Sequence, residues 1–292
     1  MSLLNPRPLL ASSLLIGLAF GAACGAEGDS TLESRQDPSA APTELHWKTE
    51  TSEEQAGPCD GEEAACATVL FRFPVFEPHP SADTEALNHL ALELVTGGFY
   101  GELAEGTPLP RSAEDLAPYR RAFLDPFLEF IAEYPDVPND IWADERIIEV
   151  IYQQPKLVSL GASYYQYGGG AHPNSALTLV SVNPLDGRRW TLPDLLQDGG
   201  EEQLRQRAEA QFRDFRRLEP DVDLAMKGFY FEDGFALNDN FAVQEEGLRF
   251  YYSPYEIAPY ALGPTDILLP WAEIRDLLRP DAPVPTAAPA AP

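Results

Sequence analysis

Residues 147–182 read IIEVIYQQPKLVSLGASYYQYGGGAHPNSALTLVSV. Over 147–152, 157–167 and 176–182 the pattern has a period near two, and β-branched and aromatic residues are frequent. That is the signature of strands whose successive side chains point to opposite faces. Three such runs in succession predict a hairpin-rich, antiparallel sheet. Asp186-Gly187 just beyond them is a hairpin-turn pair leading into residues 188–191.

Downstream the period changes. A helical stretch begins at residues 192–196, and Leu204, Ala208, Phe212 and Phe215 continue its amphipathic spacing. Strands follow at 241–243 and 248–252 around Glu246-Gly247, then at 267–269, before a short helix over 271–278. Upstream, CATVLFRF at 66–73 alternates until Pro74 stops it. Ser81 then precedes Ala86, Leu87, Leu90, Ala91, Leu94 and Val95, an apolar stripe that ends at Gly97-Gly98. A second helical pattern over 114–134 places Leu116, Tyr119, Phe123, Phe127 and Phe130 on one side, with Pro118 and Pro126 limiting or kinking it. Helices mixed with antiparallel hairpins predict an α+β fold of two small domains, antiparallel sheets with packed helices. The boundary is expected near Pro138, giving domains at 58–138 and 139–279. No repeat of solenoid or propeller period occurs.

The flanks have a different composition. Residues 24–57 are small, polar and acidic and read as a disordered tether. Residues 280–292, PDAPVPTAAPAAP, read as a disordered Pro/Ala-rich tail. Residues 9–23 are apolar, too few to span a membrane comfortably, and follow a segment whose one charged side chain is Arg7. With Gly21-Ala22-Ala23 before Cys24, residues 1–23 read as a lipoprotein signal peptide, with Cys24 the lipidated residue and membrane anchor. The lipobox leucine three places before the cysteine is replaced by Gly21. An ordinary signal peptide cut near Ala23 or Ala26 is the alternative. Gly25 after the cysteine favours the periplasmic face of the outer membrane of a Gram-negative cell envelope. In such an oxidising compartment Cys59 and Cys66 are expected to pair as a disulfide staple.

The 292 residues hold 47 acidic and 20 basic side chains, a formal charge of −27. Removing residues 1–23 takes away one cation, Arg7, and no acid, leaving −28. A field of that sign repels phosphate backbones, so nucleic acid is excluded as a partner and cationic partners are favoured. The four histidines are His46, His79, His89 and His172. No HExxH, HxxxH, GxSxG, CxxC or Walker pattern is present. We therefore assign no catalytic residue, metal ligand or cofactor. A carboxylate-pair wall hydrolase has no motif to betray it, and with 47 acids any chosen pair would be arbitrary.

Two segments invite a recognition role. In YYQYGGGAHP at 164–173 an aromatic strand runs into three glycines, with Tyr167, Gly169, Gly170 and His172 as candidate partner-binding residues. The bland reading is a bulged turn with His172 bonded to backbone. In YYSPYEIAPYALGP at 251–264 four tyrosines and three prolines form a stiff amphipathic loop, with Tyr255, Glu256, Pro259 and Tyr260 as candidates. Its bland reading is packing of tyrosine rings at a core edge.

These segments carry a resemblance. YGGGAH at 167–172, DGRRWTLPDLL at 186–196, EGLRF at 246–250 and SPYEIAPY at 253–260, in that order, resemble the extracytoplasmic module of the RsiV anti-sigma factor family. The same module pair precedes the catalytic domain in the PdaC deacetylase family. The resemblance runs from about residue 66 to 278, loosely in the first half and closely in the second. It implies a module that binds lysozyme, a basic protein, or a peptidoglycan component. The chain departs from RsiV in lacking an internal span and a cytoplasmic segment. It departs from PdaC in lacking the deacetylase domain with its His-x-x-x-His motif, so that activity is not carried over. The expected function is a non-enzymatic envelope lipoprotein for recognition. A wall hydrolase or deacetylase-associated protein and a purely structural lipoprotein are the alternatives.

Overall fold

A computed structural model describes residues 44–61, 65–97, 107–135, 141–231 and 233–285. Cys24 and the signal-peptide residues 1–23 lie outside the described residues. The fold is mixed α+β with two sheets. The first has five strands in the order β1 (Trp47–Ala56), β2 (Cys66–Phe76), β3 (Ile141–Gln154), β4 (Leu157–Tyr167) and β5 (Asn174–Val182). The second has β6 (Phe241–Val243), β7 (Gly247–Tyr252) and β8 (Thr265–Pro270), all antiparallel.

In β2 alternate residues Ala67, Val69, Phe71 and Phe73 are buried. They face two helices, α1 (Thr84–Thr96) and α2 (Ala117–Glu133). Asp83 starts α1 by accepting the Ala86 amide at 2.9 Å. Leu87, Leu90, Leu94 and Val95 supply its buried stripe. Pro118 sits in the first turn of α2, where no amide is needed, and Pro126 lies inside it. Both helices belong to the crossover between β2 and β3, which are parallel and so cannot be joined by a tight turn.

Three expectations are corrected. The division near Pro138 separates strands that share a sheet: Cys66 to Arg72 pair in register with Ile141 to Ile147 across it. Period-two patterning marks a strand but not the sheet it joins. Residues 24–57 are not tether throughout, because residues 47–56 form β1 and Leu45 is buried, bonded to the Gln153 side chain. β1 escapes a hydrophobicity pattern because it is an edge strand with mostly exposed side chains. The tail 280–292 is anchored over its first residues: Pro283 and Pro285 are buried, Ala282 and Val284 pack on the second core, and Arg275 Nη2 donates to Pro285 O at 3.1 Å.

The second core gathers Leu192 and Leu195 of α3 (Leu192–Leu195) and Leu204, Ala208 and Phe212 of α4 (Gly200–Phe215) with Phe250, Ile267, Leu269 and Trp271. Polar side chains join the two sheets where β5 meets β6. Ser159 Oγ donates to Val243 O at 2.6 Å, Val243 N donates to Ser181 Oγ at 2.9 Å, and the two hydroxyls lie 2.8 Å apart. Asn240 Oδ1 accepts the Leu179 amide at 2.7 Å, while its Nδ2 donates to Leu177 O at 2.8 Å. A side-chain amide thus occupies the edge of β5 as a neighbouring peptide would. Among the described residues no helix is long and apolar enough to cross a membrane.

Candidate functional site

Two segments far apart in sequence meet at one end of the fold. The turn after β4 carries Tyr167, Gly169, Gly170 and His172; the connection between β7 and β8 carries Tyr255, Glu256, Pro259 and Tyr260. Gly169 and Gly170 have φ of +84° and +94°, where a side chain would be strained. Beneath them lies Trp142: a Cβ on Gly169 would stand 3.5 Å from its Nε1. Tyr167 closes the turn by donating to Gly170 O at 3.1 Å.

His172 stacks on Tyr260, with ring centroids 3.9 Å apart and planes at 15°. Its Nδ1 lies 2.9 Å from Pro173 O. A carbonyl only accepts, so that contact puts the ring proton on Nδ1 and leaves Nε2 to accept from the Tyr255 hydroxyl at 3.2 Å. Tyr260 donates to the same Pro173 O at 3.1 Å. The Tyr255 and Tyr260 rings are 5.5 Å apart, so the three aromatics form one cluster. Tyr255 remains 54% exposed.

The backbone beneath Tyr255 is unusual. Glu256 N donates to Ser253 O at 3.1 Å, closing a turn with Pro254 second and Tyr255 third. Tyr255 has φ of +70°, a value that a turn of this kind normally assigns to glycine. Glu256 holds the turn: one carboxylate oxygen accepts the Ser253 amide at 2.8 Å, and the other accepts Asn238 Nδ2 at 2.7 Å. Pro259 is exposed and begins the helical turn over Tyr260–Leu262.

Three residues absent from the sequence expectations position this loop. Arg216, at the end of α4, donates to Leu262 O at 2.6 Å, Gly263 O at 3.1 Å and Pro264 O at 3.0 Å, and also to Thr265 Oγ1. Its guanidinium lies over Phe215 and Phe229, and burial lowers its pKa. Asn238 and Asn240 both donate to Tyr251 O, at 2.8 and 2.9 Å. In the sequence Arg216 is one of several charges on an amphipathic helix, and nothing local marks its targets 46 to 49 residues away.

A neighbouring cleft of about 650 Å³ runs between the edge of β5 and residues 238–241, with Arg189, Trp190 and Glu256 in its wall. Most of its polar groups are already engaged. Arg189 pairs with Glu93 at 2.8 Å, and Ser181, Asn240 and Glu256 make the bonds described above. One acceptor in its wall, Asn238 Oδ1, is buried without a partner among the described residues, but the other polar groups are largely spent on holding the two sheets together. No group of three or more His, Cys, Asp or Glu side chains suited to a metal is present among the described residues. Cys59 and Cys66 are joined by a disulfide, with Cα atoms 4.7 Å apart. It closes the loop between β1 and β2, away from the aromatic cluster in the sequence.

Comparison with known proteins adds three findings. A family profile described as "Deacetylase PdaC" matches residues 111–175, and one described as "Protein of unknown function (DUF3298)" matches residues 193–272. Among solved structures, the chain is similar to a DUF3298 family member from Bacteroides fragilis, with 19% identity and a TM-score of 0.62 over 82% of this chain and 95% of that one. It is also similar to a DUF3298 family protein from Pseudomonas aeruginosa, with 24% identity and a TM-score of 0.56 over 81% and 95%. No curated protein matches significantly. The two profiles in this order, with these neighbours, support the RsiV/PdaC-type module read from the sequence.

Proposed function

We propose that this chain, with its PdaC-type region followed by a DUF3298 region, is a non-enzymatic recognition module of the cell envelope. In this reading Cys24 carries the lipid that tethers it to the periplasmic face of the outer membrane. The partner is a basic protein of the lysozyme kind. The reading rests above all on one observation: Tyr255 is held exposed, at a positive φ, by a carboxylate and a proline turn, with His172 and Tyr260 stacked behind it. A rigid aromatic side chain loses little conformational freedom on docking, which makes it an effective anchor in a partner's cleft. Backbone strain kept at an exposed side chain is the kind of feature that marks a ligand clamp. The charge, −27 for the whole chain and −28 once residues 1–23 with Arg7 are removed, adds long-range attraction toward a cationic partner.

The test is titration calorimetry of the purified full-length protein with a lysozyme at low ionic strength, beside a pull-down on purified peptidoglycan. Saturable association with lysozyme is expected. Absence of binding at low salt would remove this partner, and retention on peptidoglycan alone would reassign the module to the wall polymer.

A further inference from the structure

β1 is the outermost strand of the five-stranded sheet. All ten of its residues pair with β2 without a register shift, and no described strand lies on its other side. An open edge of this length presents a row of main-chain donors and acceptors, and folded proteins usually blunt such a row with proline, a bulge, central lysines or a short strand. WKTETSEEQA has no proline and no bulge. Its one lysine, Lys48, stands near the start, 3.5 Å from Glu77.

Charge selects what can pair here. Glu50 and Glu53 are exposed, while Glu54 is taken by Arg120 Nε at 2.6 Å on the side facing α2. If two copies paired edge to edge about a two-fold axis at Ser52, Glu50 of each would sit opposite Glu54 of the other on one face. Like charges directly opposed destabilise a ladder. The sheet face on the Glu53 side adds Glu145 and Glu149, both exposed on β3. Glu50 and Glu53, which point to opposite faces, would each attract a lysine or arginine side chain on the matching face of an incoming strand.

We propose that the free edge of β1 binds an extended, basic segment of a partner protein as a sixth strand. Main-chain bonds would hold the segment and Glu50 and Glu53 would select it. This surface is independent of the tyrosine cluster.

The test uses the full-length protein and three capped ten-residue peptides, alternating Lys-Val, alternating Glu-Val, and the Lys-Val peptide with every second backbone nitrogen methylated. The Lys-Val peptide is expected to bind at low salt and to slow amide hydrogen exchange along Trp47–Ala56. Methylation keeps the charge but removes main-chain donors, so binding should weaken about tenfold or more. The Glu-Val peptide and a Glu50→Lys/Glu53→Lys protein with the Lys-Val peptide should both fail to bind. Equal binding by the methylated peptide, protection that falls outside β1, or unchanged binding by the charge-reversed protein each overturns the proposal. A Tyr255→Gly protein should bind the peptide as the parent does, so failure of the aromatic reading and failure of this one are distinguishable.

Discussion

Tyr255 offers an uncommon separation of stability from recognition. A non-glycine residue in the left-handed region costs about 1–2 kcal/mol, and here the cost falls on a side chain that is 54% exposed and fills no core. Replacing it with glycine removes the strain together with the ring. Tyr255→Gly should therefore hold or raise the melting temperature while weakening capture of a basic partner. A fall in melting temperature would mean that the ring acts through packing. Sequence showed the tyrosines and glycines as two unusual segments but not their meeting. The His172–Tyr255 contact joins positions 83 apart, and no periodicity reports a pairing of loops. Glu256 is similar: in the sequence it is one acid among many, whereas in the fold both its oxygens accept hydrogen bonds that shape the turn.

At the scale of elements, the β7–β8 connection depends on a helix end. Arg216 satisfies three consecutive carbonyls and, among the described residues, has no carboxylate partner in its hydrogen bonds, so its charge is dispersed over main-chain dipoles. Arg216→Met keeps much of the aliphatic stem but removes the donors, leaving the loop after Tyr260 to be held by its own turn. Hydrogen exchange over residues 253–264 should accelerate selectively, with exchange in β2–β4 unchanged. Uniform acceleration would make Arg216 a global rather than a local support. The strands β4 and β5 were legible because β-branched and aromatic residues crowd them between turn residues, although in the fold each is buried as a block at one end rather than alternately. β1 was not, since an edge strand that buries almost nothing gives alternation no apolar side chains to mark. Nor could the pattern tell that β3 lies beside β2, because a parallel neighbour is chosen by the packing of the crossover helices and not by any local signal.

For the molecule as a whole, the charge is the feature composition reveals most directly, and its consequence is kinetic. Screening shortens the reach of a field from about 30 Å at 0.01 M salt to about 3 Å at 1 M. The association rate with a basic partner should fall steeply over that range while the dissociation rate changes far less. Stopped-flow measurement of both constants checks this, and a salt-independent association rate would show that the acidic surface plays no part in encounter. The mixed α+β class follows from the order of periods along the chain. The union of strands on both sides of residue 138 in one sheet does not, and the PdaC-type match over 111–175 likewise runs across that position.

Leu45 near one end and Pro283 and Pro285 near the other, all buried, set limits on how the protein can be cut for laboratory use. Expression boundaries drawn from apparent low complexity, starting at 57 and stopping at 279, would delete an entire edge strand and uncover the apolar floor beneath the terminal prolines. A fragment spanning 44–285 retains both, and affinity tags belong beyond those limits.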